Sequence, residues 1–276
     1  MTAHRLLFLL IGTLPATSVV ADNQPALSIQ LSRPNHDSVE QKHEELQLSW
    51  PGTDQMTLRY AHDYRVFDLA AGNGVAAASN GHVHRMAVLL VSSHAAWVGE
   101  FGPVIATSSN ALRQAKQLAA DDLQWQAALS AIAVSNSHSE WRYGLRADSR
   151  LGRYRLYPAA SWQGELSETW SLQIGWPDSK LNWRLADDIA MRWHLGPSGG
   201  QWQVHDEEFL ASTELHYQQW QFDWQLDWSV AAATRVSLAL VREFNQELRY
   251  RLLDERMIRV ESPDSTASQV GITWTF

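Results

Sequence analysis

The 276-residue chain has no cysteine, which excludes a disulfide scaffold, and beyond residue 21 it has no apolar run near the ~20 residues a membrane helix needs. Helical insertion of the remaining chain is thereby excluded. Positive charge is scarce: 22 Lys and Arg stand against 30 Asp and Glu, for a formal charge of -8, which argues against a nucleic-acid partner. A phosphate-cradling glycine loop is also missing, because Gly72-Asn73-Gly74 is not a strand-to-helix turn. Tryptophan, by contrast, is abundant, with 14 residues. Side chains with an apolar body and a polar edge suit membrane interfaces.

The chain opens on a short stretch with Arg5, an apolar segment from Leu6 to Leu14, and small residues at Val19 and Ala21. This reads as a secretory signal peptide over 1–21, cleaved after Ala21. Absence of cysteine fits an exported destination, where a lone thiol is open to oxidation. If the exported chain spans a membrane it does so as a closed barrel, the one non-helical solution that pairs every backbone amide.

Period-2 alternation runs through the second half. Trp220, Phe222, Trp224, Leu226, Trp228 and Val230 share one face against Gln221, Asp223, Gln225, Asp227 and Ser229. Trp170, Leu172, Ile174 and Trp176 alternate in the same way, as do Leu181 and Trp183 against Lys180, Asn182 and Arg184, and Met191, Trp193 and Leu195 against Arg192 and His194. Trp at the ends of such faces is what an aromatic girdle requires, and Trp170, Trp176, Trp183, Trp193, Trp220, Trp228 and Trp274 are assigned to it.

Turn signals such as Pro51-Gly52-Thr53-Asp54 and Pro177-Asp178-Ser179 join consecutive strands antiparallel. Fifteen candidate strands can be counted between 43 and 276, among them 189–195, 209–217, 220–230, 234–243 and 247–257 as separate units. Single-chain bacterial barrels have even strand numbers, which selects about 14, with 12 and 16 as the alternatives. The expected fold is therefore all-β: a closed antiparallel up-and-down transmembrane barrel over 44–276. The polar segment 22–43 reads as a periplasmic extension. Longer connections are expected at 69–82, 109–122, 196–208 and 254–267, with a short helix over 111–120.

The last eight residues, from Gln269 through Gly271 and Trp274 to Phe276, resemble the C-terminal assembly signal of Gram-negative outer-membrane β-barrel proteins. The resemblance implies outer-membrane residence, insertion by the barrel assembly machinery, and two periplasmic termini. Leu156-Tyr157-Pro158 followed by Trp170 to Pro177 also looks like a pattern in a family of outer-membrane barrels of unassigned activity, across the C-terminal half. It brings no chemistry with it.

If the apolar faces meet lipid, parity turns Arg142, Arg146, Arg153, Arg155, Arg184, Arg192, Glu214, Asp223, Asp227, Arg249 and Arg251 toward the lumen. Such ladders either set a field across a water-filled pore or pair across strands and fill it. The leading expectation is a channel or binding barrel for small polar solutes in contact with outer-membrane lipid. A closed barrel working through its loops is the alternative, and a membrane-embedded lipid hydrolase comes third. His138-Ser139 is the nearest approach to a nucleophile and base, but adjacent strand residues point to opposite faces, so no catalytic residue is assigned. His82 and His84 share a face without a third ligand, so neither a metal nor another cofactor is expected.

Overall fold

The computed structural model describes residues 24–34, 40–53, 55–67, 81–114, 118–136, 138–205, 212–251 and 257–276. Expectations for 1–21 and for most of the 69–82 loop lie outside the described residues. The described chain forms β1 (Ala26–Pro34), β2 (Glu40–Thr53), β3 (Met56–Phe67), β4 (His82–Ser93), β5 (Trp97–Ser108), β6 (Leu123–Asn136), β7 (Ser139–Asp148) and β8 (Arg155–Glu165). It continues with β9 (Trp170–Trp176), β10 (Ser179–Arg184), β11 (Ile189–His205), β12 (Ser212–Ala231), β13 (Thr234–Arg251), β14 (Met257–Ser262) and β15 (Ser265–Thr275).

Sequential strands pair antiparallel from β1 to β13, β15 pairs with both β13 and β1, and the ring is closed. β14 and β15 share one place in it: β15 bonds Thr234–Glu243 of β13, and β14 bonds Gln246–Arg251 further along. Fifteen segments thus make a closed 14-stranded up-and-down barrel.

Several expected boundaries are corrected. Residues 22–43 are not an extension throughout, because β1 lies within them and closes the ring against β15 and β2. Its Leu27, Ile29 and Leu31 alternate with Ser28, Gln30 and Ser32, a pattern too short and polar to stand out. The 196–208 connection is largely strand, since β11 runs on to His205, and 209–217 and 220–230 are one strand, β12. Segment 234–243 and the part of 247–257 up to Arg251 join as β13 through a bulge at Asn245, whose φ is 58°, and Met257 already belongs to β14. The helix of the 109–122 loop is shorter than expected: α1 covers Ser109–Arg113, and Ala120–Asp122 make one 3-10 turn.

Parity sorts the wall. Large apolar side chains such as Leu58, Leu90, Phe101, Leu129, Leu145, Ile174, Phe222, Leu238 and Val270 face outward and are exposed. Trp50, Trp141 and Trp228 stand exposed at strand ends near the termini, and Trp170 stacks on Trp183 with ring centroids 4.8 Å apart. Trp125 and the Trp176–Trp220 pair, 5.7 Å apart, lie toward the other end. Trp202 alone among the fully buried side chains is a tryptophan.

The barrel has two storeys. At the end away from the termini, β5 loses β6 beyond Ile105, and the tip of β11 takes that place through a parallel pairing of Gln203 with Thr107. A narrower sheet results, β2-β3-β4-β5-β11-β12-β13-β14. Phe67, Val83, Val104, Ala106, Trp202, Val204, Leu215, Tyr217, Leu248 and Tyr250 fill it, with Ile258 and Val260 against them. This sheet curls around those side chains, which fill its concave face. Of the two expected lumens, water-filled or filled by side chains, the upper storey has the filled one, and its filling is apolar.

Two of the strands left out of the upper storey are short. β9 and β10 have 7 and 6 residues, so above them Arg155–Ala159 of β8 and Gly196–Trp202 of β11 do not pair with each other. The β7–β8 turn, 149–154, fills this notch in the wall. Gly152 (φ +81°) and Gly199 admit it: a Cβ on Gly152 would lie 2.7 Å from Gln218 Cβ, and one on Gly199 would lie 2.8 Å from the Arg150 carbonyl.

Candidate functional site in the lumen and the wall notch

The lower lumen is lined by charge in pairs rather than in opposed ladders. Arg59 of β3 reaches Glu100 of β5 at 3.4 Å, and Glu100 also meets Arg146 of β7 at 3.5 Å. Arg146 bonds Asp148, and Asp148 accepts from Arg150 at 3.2 Å. Arg150 continues to Asp178 at 3.1 Å, Asp178 meets His194 at 3.4 Å, and His194 meets Asp223 at 2.8 Å. One chain of contacts therefore runs from β3 to β12.

Arg150 deserves its central place by geometry. It stems from the notch turn, is nearly buried, and sits between Asp148, Asp178 and the Tyr157 hydroxyl at 3.4 Å. It latches the turn to the β9–β10 hairpin.

Of the residues expected in the lumen, Arg142 pairs with Glu140, Arg192 with Asp227 at 2.5 Å, and Arg146, Asp223 and Asp227 are buried as described. Arg184 ends its strand at the rim near the termini, donating to the Glu168 carbonyl at 2.7 Å. Arg153 and Arg155 stand exposed at the mouth of the notch. Glu214, Arg249 and Arg251 are corrections. Glu214 shares the parity of Trp220 on the continuous strand β12, and the extra residue at Asn245 reverses the face of Arg249 and Arg251.

That reversal brings expected residues together in an unexpected place. Leu151, Gly152, Arg153 and Arg155 from the notch, His216 and Gln218 from β12, and Glu247 and Arg249 from β13 line a cleft of about 200 Å³. His216 Nδ1 faces the Gly152 carbonyl at 3.1 Å, and its Nε2 faces Glu214 at 3.2 Å. Glu247 is bonded by Arg249 and by Arg259. His216 and Glu247 each stand within five residues of the end of β12 or β13 that lies away from the chain termini. Burial and the neighbouring Arg153 hold the His216 ring below the ordinary histidine range, although Glu214 pulls the other way. Hydrogen bonds from Arg249 hold the Glu247 carboxyl below its ordinary range.

The histidines considered for metal face outward. His84 bonds His62 at 2.9 Å and Ser109 at 2.7 Å, and Tyr64 stacks on it at 4.7 Å. Among the described residues no group of three His, Asp, Glu or Cys is placed to hold a metal. His138 is exposed on a turn and meets Glu165 at 3.4 Å. Parity could not reveal Arg150 and Asp178, because both lie in turns; the clue was only their charge beside Gly152 and Pro177.

No protein-family model matches the chain, and no curated protein does. Among solved structures, the NanC porin aligns with 91% of this chain and 100% of its own at 8% identity and a TM-score of 0.43. A Pseudomonas aeruginosa FadL homologue aligns over 92% and 91% at 8% identity and a TM-score of 0.48. LpxR from Salmonella typhimurium aligns over 91% and 100% at 8% identity and a TM-score of 0.42. At these values the likeness assigns no activity.

Proposed function

We propose that this chain is a Gram-negative outer-membrane barrel that passes small polar solutes between its lumen and the notch in its wall, shut at rest by the Arg150 latch. The carrying observation is a charged lower lumen that leads to Arg150 and Asp178, while the axial exit is filled by the upper storey. Buried ion pairs add little net stability, so a wall merely to be filled gains nothing from this lining. The outward apolar band with tryptophan toward both ends supports membrane residence. Export through residues 1–21 and assembly through the Gln269–Phe276 signal belong to the same reading.

Planar-bilayer recording of the refolded protein tests it. The wild type is expected to show rare, small conductance steps and Asp178→Asn frequent ones. Silence from both variants at every salt concentration would refute the conduit. The filled upper storey favours a second reading, a closed barrel working through its loops, and that silence is what it requires.

A further inference from the structure

We infer that the cleft at the notch is a binding site for small water-borne anions carrying phosphate or clustered carboxylates. The inference rests on the conduit reading and names its solute class.

The charge balance carries it. Arg153, Arg155 and Arg249 converge on a cleft whose one lining carboxylate is Glu247. Glu247 is already engaged by Arg249 and Arg259. Arg155 donates to the Leu151 carbonyl at 2.8 Å, so its guanidinium is aimed without being neutralised. Arg153 has no ion-pair partner among the described residues. Planar guanidinium forks match carboxylate and phosphate oxygens two at a time.

Shape agrees with charge. About 200 Å³ is less than the roughly 300 Å³ at which pockets for drug-sized ligands begin, so the site suits a compact anion rather than a long chain. Gly152 forms its floor, where a side chain would collide with Gln218. Burial, and behind it Arg153, disfavour a proton on His216, which lines the same cleft. The cleft also adjoins the latch: Arg150 is three residues from Arg153 on the same turn. An anion drawing on Arg153 and Arg155 therefore pulls on the segment that closes the lumen.

Titration calorimetry of the refolded full chain, in detergent free of lipopolysaccharide, tests the site with inorganic phosphate, citrate and glucose. Saturable binding of phosphate or citrate, and none of glucose, is expected. Arg153→Gln should weaken it at least about tenfold, with Arg153→Lys intermediate. Arg113→Gln, in the distant α1, should bind as wild type. Heat-modifiable gel migration checks that each variant folds. Absence of saturable anion binding, or wild-type affinity in Arg153→Gln, would overturn the inference. Binding of lipopolysaccharide without phosphate or citrate would overturn it too, by placing a lipid headgroup in the cleft. The conduit is judged separately: anion binding without conductance in Asp178→Asn keeps the site and removes the conduit, and conductance without anion binding does the reverse.

Discussion

Trp202→Ala separates the two storeys. The indole is fully buried, its ring centroid lies 5.7 Å from Phe67, and the Arg65 guanidinium sits 5.9 Å above it. Removing a buried aromatic of this size costs about 3–5 kcal/mol. At 1.4 kcal/mol per factor of ten, that is a hundred- to several-thousandfold shift in an equilibrium it controls. The upper storey has its own core and joins β5 to β11 through the pairing of Thr107 with Gln203, so the cost should fall on its local opening rather than on the whole barrel. Hydrogen exchange followed by mass spectrometry reads this directly. Amides in 213–217 and 247–250 should exchange faster by about that factor, while 142–147 in the lower wall keep wild-type rates. Equal acceleration in both regions, or none, would refute the division into storeys.

Further outcomes follow from other features. Asn245→Val forces a β-branched residue into a left-handed conformation and should lower stability by about 1–2 kcal/mol in urea unfolding, against little change for Asn245→Gly. Leu145→Arg places a charge on the outward wall beside Leu129 and Pro158 and, on the proposed membrane reading, should cost about 2–4 kcal/mol in a bilayer refolding assay. Sulfate, dianionic throughout, should bind the notch more tightly as pH falls from 7 to 5. The anion favours the imidazolium of His216 against burial and Arg153, with Glu214 acting in the same sense as the anion; Arg249 and Glu247 face the same cleft, and His216→Gln should flatten that slope. Deleting Phe276 should slow folding into vesicles containing the assembly machinery, with spontaneous detergent refolding unaffected.

Parity reasoning could read the outward face of the wall, because alternation puts every second residue of a regular strand on it. Trp228 is exposed and Trp170 stacks on Trp183 on neighbouring strands. β1 escaped because its lumen face is Ser and Gln and its lipid face only three aliphatics. The lumen residues were legible only while strands stayed regular. Arg142 and Asp223 kept their parity, but one extra residue at Asn245 inverted Arg249 and Arg251. The upper storey was not legible at all. It depends on β11 leaving β10 for β5, a partner about 100 positions away in sequence, which local alternation does not encode.

The notch turn belongs to no strand of either storey. Among the described contacts, residues 149–153 are held by a short internal bond, Gly152 N–H to the Ser149 carbonyl at 2.9 Å, and by side chains, Arg150 above all. Displacing that turn would break no backbone pairing between strands. Under the conduit reading, the resistance to opening lies in side-chain contacts, those of Arg150 with Asp178, of His216 with the Gly152 carbonyl and of Gln201 with the Tyr154 amide, rather than in the frame.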